Sequence, residues 1–98
     1  MAIHNVRFRD AGSKIVSKVE ICNQDSGRFH MNVITNHEDG GDRRVERFYA
    51  DVPRGCGDVV NIFPDRLKWK GWYIGHMKVR QGGTDWVQTS GRRFFYSR

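Results

Sequence analysis

The residues best suited to binding chemistry lie in one stretch, Leu67 to Arg80, where cationic and aromatic side chains interleave. In an extended chain, successive side chains point to opposite faces. One face would hold Trp69, Tyr73, Met77 and Val79, with Gly71 and Gly75 between them, and is predicted to be core. The other would hold Lys68, Lys70, Trp72, Ile74, His76, Lys78 and Arg80. This second composition is typical of a surface that binds an anionic, partly flat ligand, or of an edge strand that lysines protect from aggregation.

Single-stranded nucleic acid is the leading ligand class for this pattern. Bases stack on exposed aromatic rings for roughly 1–3 kcal/mol each, while lysine and arginine contact phosphates. The predicted ligand-binding residues are Lys68, Lys70, Trp72, His76, Lys78, Arg80, Arg92 and Arg93. Trp72 is the candidate stacking platform, although a shift of one residue in register would bury it instead.

The histidines suggest a second chemistry, metal-independent cleavage of RNA. This reaction needs a base for the 2′-hydroxyl, an acid for the leaving oxygen and a cation near the phosphorane. His30 and His76 lie on predicted polar strand faces, and Arg43 and Arg44 could supply the cation. No cysteine or histidine spacing predicts a metal site, and no motif predicts a cofactor.

Two family resemblances bear on these alternatives. The segment RFHMNVITNHEDGGDRRV resembles the central strand and arginine-bearing loop of small microbial ribonucleases, which place a glutamate where this chain has His30 and carry a long helix that the sequence does not predict. The pieces IHN and VERFYADVPRG, with Asn61, resemble the aegerolysins, acidic β-sandwich proteins that bind membrane lipids. The second resemblance implies a sandwich and a lipid-binding alternative, although this chain is basic.

Charge is distributed unevenly along the 98 residues, which carry a net charge of +6. Residues 1–65 have a balance of −1, whereas residues 66–98 have a balance of +7 and hold seven of the aromatic residues. This asymmetry indicates a polyanionic partner, with nucleic acid first, an acidic protein surface second and a membrane surface third. The sequence also predicts that binding depends on the last third of the chain.

The two cysteines, Cys22 and Cys56, are compatible with one disulfide or with two thiols. The N-terminal residues lack the apolar run of a signal peptide, and no segment has the length and apolar character of a membrane span. We therefore expect a cytoplasmic protein, with a mature secreted chain as the alternative.

Short alternating segments between turns rich in glycine and aspartate predict the fold class. Strands are expected at residues 3–9, 28–35, 43–50, 59–63, 69–79, 86–90 and 92–97, with a hairpin joining the second and third of these. A turn is expected at Pro64 and Asp65, and the segment QGGTD after Arg80 predicts a Gly-Gly hairpin turn. Residues 14–22 fit a strand or a short helix, and residues 51–58 are expected to form a long loop around Pro53. The prediction is a single all-β domain over residues 1–98, an antiparallel β-sandwich or a partly open barrel of about seven short strands.

Together these patterns predict a binding module without catalytic activity, most simply for nucleic acid. The alternatives are a small inhibitor or effector that docks on a larger protein, a ribonuclease and a lipid-binding sandwich.

Overall fold

The computed structural model describes residues 2–11, 14–23, 27–52, 54–63 and 67–97. These residues form eight β-strands and no helix, which confirms the all-β prediction. The strands are β1 (Ala2–Asp10), β2 (Ile15–Asn23), β3 (Gly27–His37), β4 (Arg43–Val52), β5 (Gly55–Ile62), β6 (Gly71–Gln81), β7 (Val87–Gln88) and β8 (Arg92–Tyr96).

The strands build two antiparallel sheets. The first has the order β1-β2-β5, and the second has the order β4-β3-β6, with β7 and β8 pairing with different parts of β6. The predicted hairpin of β3 and β4 is confirmed, as is the hairpin of β6 and β7. The sheets do not close into a barrel. Edge strands β1 and β8 lie side by side without a ladder of their own.

The core lies between the two sheets, because alternate side chains of each point inward. These include Ile15, Val19 and Ile21 of β2, Phe29, Met31 and Val33 of β3, and Tyr73, Met77 and Val79 of β6. Burying each such side chain contributes about 1.5–3 kcal/mol. The sheets approach most closely at Gly75, where an added Cβ would come within 2.6 Å of the Phe8 ring. Glycine at this position lets Phe8 of one sheet pack directly on the other.

The structure decides the ambiguous segments and corrects one prediction. Residues 15–23 are a strand, and its alternate side chains Val19 and Ile21 are buried in the core. The loop predicted for residues 51–58 is wrong. β4 continues to Val52 and β5 begins at Gly55, because Gly55 to Ile62 pair without interruption with β2. Residue 53 and the turn predicted at Pro64 and Asp65 lie outside the described residues.

A disulfide joins Cys22 to Cys56 across neighbouring strands of the first sheet. The two residues are directly paired in the register of β2 and β5. Their sequence separation is 34 residues. Closing a loop of this length stabilises a fold by about 4 kcal/mol in the chain-entropy model. The bridge therefore holds β5, the outermost strand of this sheet, in place.

Across the part of the chain that the structure describes, no helix has the length and apolar character needed to cross a membrane.

Candidate nucleic-acid interface

The candidate site is the outer face of the second sheet, defined by the outward side chains of β4, β3, β6 and β8 together with Trp86. Cross-strand register fixes its layout in rows. One row is Tyr49, His30 and Arg80; the next is Arg47, Asn32 and Lys78. Further rows are Val45, Ile34 and His76, then Arg43, Asn36, Ile74 and Arg93, and finally Trp72 with Phe95.

Cations dominate this face. It carries Arg28, Arg43, Arg47, Lys78, Arg80 and Arg93. Two of them are neutralised by carboxylates at the margins, since Arg28 pairs with Asp51 at 3.5 Å and Arg93 pairs with Glu38. The other four have no carboxylate within 4.0 Å among the described residues. The face therefore presents uncompensated positive charge.

Aromatic side chains are exposed among these cations. Tyr49 is 62% exposed, Phe95 48%, Trp72 44% and Trp86 39%. Trp72 and Phe95 touch edge to face, with ring centroids 5.2 Å apart. Exposed apolar groups that are gathered on one surface and bordered by polar residues often mark an interaction site.

Each of three exposed rings is approached by an arginine. The Arg93 guanidinium lies 4.4 Å from the centre of the Trp72 ring, and that of Arg80 lies 4.6 Å from the Trp86 ring. Arg28 lies 5.6 Å from the Tyr49 ring. These cation–π contacts place the guanidinium groups next to the exposed rings, and guanidinium planes as well as aromatic rings can stack with bases.

The outer face contains a cavity of about 320 Å³ lined by His30, Arg47, Tyr49, Arg80 and Trp86, among others. His30 and Tyr49 pack edge to face at its base, 4.6 Å apart. The Nε atom of Arg80 is buried and has no hydrogen-bond acceptor among the residues that the structure describes. A buried donor without an acceptor is costly, so this position favours a ligand that brings an acceptor, such as a phosphate or carbonyl oxygen.

Of the predicted binding residues, the structure brings Trp72, His76, Lys78, Arg80 and Arg93 together on the outer face. Trp72 points outward and Tyr73 is fully buried, so the predicted register of β6 is confirmed. Arg92 does not join the face. Arg92 is paired with Gly75, a position that faces the core. Its side chain therefore lies on the core-facing side of β8, at the edge of the sandwich, where it is exposed to solvent.

Lys68 and Lys70 also lie off the outer face, because β6 begins only at Gly71. The φ angle of Gly71 is 121°, in the range that favours glycine, and it ends the extended conformation predicted for the stretch from Leu67. Residues 68–70 fold instead against the turn between β3 and β4. There Trp69, predicted to be core, is 40% exposed.

A hydrogen-bonded carboxylate holds this segment in place. Asp42 Oδ2 accepts hydrogen bonds from the Tyr73 hydroxyl at 2.6 Å and from the Lys68 backbone N–H at 2.8 Å, and Arg44 Nε donates to Oδ1 at 3.0 Å. Burial opposes ionisation of Asp42, but these hydrogen bonds lower its pKa overall. Burial and the neighbouring Asp42 raise the pKa of Tyr73, which stays protonated as the donor. The network fixes the start of β6 and hence the position of Trp72.

The proposed ribonuclease residues are not brought together. His30 is paired with Arg80, whereas His76 is paired with Ile34, four positions further along β3. At 3.3 Å per residue the two imidazoles are separated by about 13 Å along the sheet. Arg44 points inward to Asp42, so it is also separated from Arg43. At this separation one phosphodiester does not contact both histidines, so the register does not support the acid–base pair of the ribonuclease alternative.

His76 contributes a polar side chain to the outer face but no positive charge. Burial lowers its pKa below the usual histidine value, and the nearby charges of Lys78 and Arg43 lower it further. At neutral pH the imidazole is therefore uncharged, and the positive charge of the face comes from arginine and lysine.

Sequence reasoning missed half of the face, the part supplied by β3 and β4. Arg28, Arg47 and Tyr49 lie in the first two-thirds of the chain, whose near-neutral balance concealed them. The available signal was parity: Arg43, Val45, Arg47 and Tyr49 share one side of a strand already predicted to pair with residues 28–35. That binding depends mainly on the last third stays a prediction, although the outer face also carries Arg28, Arg43 and Arg47 from earlier in the chain.

Comparisons of this chain with protein-family models, with curated proteins and with solved structures find no match.

Proposed function

We propose that this protein binds single-stranded nucleic acid on the outer face of the second sheet. The observation that carries the proposal is the interleaving of four exposed aromatic rings with unpaired cations on one side of one sheet. Stacking on such rings tolerates any base, because every base has a π-face, and the cations contact the phosphates. The combination provides affinity without requiring a particular sequence.

The arrangement favours a single strand over a duplex. A duplex keeps its bases stacked inside, so it would contact the arginines and lysines but leave the rings of Tyr49, Trp72 and Trp86 unused. A single strand offers both phosphates and bases. A surface that acted only through charge would prefer the duplex, because its charge density is higher.

The buried Arg80 Nε supports the same ligand class. A strand that crosses the cavity of His30, Arg47 and Tyr49 can place a phosphate or base oxygen where this donor needs an acceptor. The carboxylates of an acidic protein surface would also satisfy the cations, but they would not stack on the four exposed rings as bases do.

The test is a titration of labelled 12-nucleotide single strands, DNA and RNA, and of a duplex of equal length, at several salt concentrations. We expect tighter binding of the single strands and a linear fall of log affinity with log salt. The slope should be roughly 0.7 per phosphate contact, or about 3 for four unpaired cations. A base-free polyanion such as heparin serves as the control. Equal affinity for duplex, heparin and single strand would reject the stacking component, and absence of binding at 50 mM salt would reject the function.

The disulfide is evidence about the cellular compartment in which the protein works. Structural disulfides persist in oxidising surroundings and are rare in the cytosol. The bridge of Cys22 and Cys56 therefore favours an oxidising compartment over the cytoplasm expected from sequence.

A further inference from the structure

A second cationic feature lies outside the outer face, in the groove between edge strands β1 and β8. This groove encloses about 460 Å³ and is lined by Asn5, Arg7, Arg9, Arg92 and Arg93, among others. It lies where the two sheets fail to close into a barrel, so two strand edges face each other there without pairing.

The groove is rich in uncompensated positive charge. Arg7, Arg9 and Arg92 are exposed and make no ion pair or side-chain hydrogen bond within the part of the chain that the structure describes. Only Arg93 has a carboxylate partner, Glu38. Arginines that line one groove without carboxylate partners favour an anion there, and their planar donor groups suit phosphate oxygens.

Contacts between β1 and β8 connect the two strands at one end of the groove. The Asp10 carboxylate accepts hydrogen bonds from the Ser97 backbone N–H at 2.8 Å and from the Ser97 hydroxyl at 2.9 Å. Phe8 stacks on Phe94 with ring centroids 5.5 Å apart. Further along β1, a bulge between His4 and Arg7 disrupts the strand, and Asn5 has a positive φ of 56°. The two strands are thus joined towards their C-terminal ends, and β1 is irregular on the N-terminal side of Arg7.

Arg93 connects the groove to the outer face. Its guanidinium lies over the Trp72 ring of the outer face, and the same residue lines the groove. A nucleic-acid strand stacked on Trp72 therefore lies beside the groove, and its next phosphates along the chain are the nearest anions to it.

We propose that the arginine groove between β1 and β8 binds phosphate groups of the nucleic-acid strand where that strand leaves the outer face past Trp72. This inference rests on the proposed function for the source of the phosphate, whereas the phosphate site itself rests on the groove alone. With this site the protein contacts a few more nucleotides of the strand, beyond the edge of the second sheet.

The first experiment uses inorganic tripolyphosphate, which has phosphates and no bases. The groove variant carries Arg7→Gln, Arg9→Gln and Arg92→Gln. The control carries Lys14→Gln, Arg54→Gln and Lys68→Gln, which remove the same charge from exposed sites that do not line the groove. By calorimetry we expect the groove variant to lose tripolyphosphate affinity at least about tenfold, and the control to lose less than about threefold. Equal losses in both variants would overturn the site.

The second experiment uses oligonucleotides of four and twelve nucleotides. The groove variant should bind the tetramer as the unmodified protein does, because Arg93, Trp72 and the outer face are intact. It should bind the 12-mer about tenfold more weakly, with a salt slope smaller by up to about 2. Equal losses for both lengths, or no loss for the 12-mer, would overturn the path past Trp72.

The two experiments separate the groove from the proposed function. If the protein binds tripolyphosphate in the groove and binds no oligonucleotide at all, the phosphate site stands and the strand is rejected as its source. If oligonucleotides bind and the groove variant behaves like the control with both probes, the proposed function stands and the groove site is rejected. Far-ultraviolet circular dichroism and melting temperature confirm that each variant is folded.

Discussion

Replacing Arg47, Lys78 and Arg80 together with glutamine is expected to weaken binding of a 12-nucleotide single strand about 100-fold at 0.1 M salt. All three lie in adjacent rows of the outer face and lack carboxylate partners among the described residues. An exposed charge pair contributes up to about 1 kcal/mol, so three lost phosphate contacts give about 3 kcal/mol, or about 100-fold. The slope of log affinity against log salt should fall by about 2. Fluorescence anisotropy at four salt concentrations measures both quantities.

The matched control is the variant with Lys14→Gln, Lys18→Gln and Arg54→Gln, which has the same net charge. It should lose less than about threefold, because long-range attraction is largely screened beyond about 10 Å at this salt. If the two triple variants lose equal affinity, binding follows net charge alone and the outer face is not a localised site. A loss confined to the control would place the site on the first sheet.

The second large effect is expected on the free energy of unfolding, which should differ strongly between Tyr73→Ala and Trp72→Ala. Tyr73→Ala removes a fully buried ring that stacks on Phe94 and whose hydroxyl donates to Asp42. Such a truncation costs about 3–5 kcal/mol, which lowers the melting temperature by more than about 10 °C in a domain of this size. Trp72→Ala, one residue away and exposed, should cost no more than about 1 kcal/mol, mostly the contact with Arg93.

For affinity towards single strands the order should be reversed, with the larger effect from Trp72→Ala. Trp72→Ala is expected to lower affinity for single strands by roughly 1–3 kcal/mol, the value of one stacked base. Differential scanning calorimetry and anisotropy on both variants give the two readouts. A fall of 10 °C or more for Trp72→Ala would mean that its ring is core and that the faces of β6 are exchanged.

The alternation of β6 was predictable because both of its faces have a clear chemical character. From Tyr73 to Val79 the inward positions are apolar or glycine, and the outward positions carry His76 and Lys78, so only one register buries the apolar set. β3 was predictable for the same reason. The start of β6 was harder to predict. Lys68 and Lys70 continue the alternating pattern on the N-terminal side of Gly71, where the backbone turns.

The face as a whole was not predictable from local patterns, because it is assembled by pairing between distant segments. Arg47 and Lys78 are 31 residues apart in sequence yet lie on either side of Asn32. The strand character of Gly55 to Asp58 was missed similarly, since glycines and a nearby proline predict a loop locally. Pairing with β2 and the bridge to Cys22 override that tendency.

The central claim is that a nucleic-acid strand lies on the outer face of the second sheet, and the three tryptophans test it most directly. Trp72 and Trp86 belong to that face, whereas Trp69 packs near Gly41 and His37 at the end of the sandwich and is similarly exposed. The indole N–H resonances of all three can be followed by nuclear magnetic resonance during titration with a single-stranded 12-mer. The account predicts large upfield shifts for Trp72 and Trp86, as bases stack on their rings, and little change for Trp69. Shifts confined to Trp69, or no indole shift at saturating ligand, would contradict it.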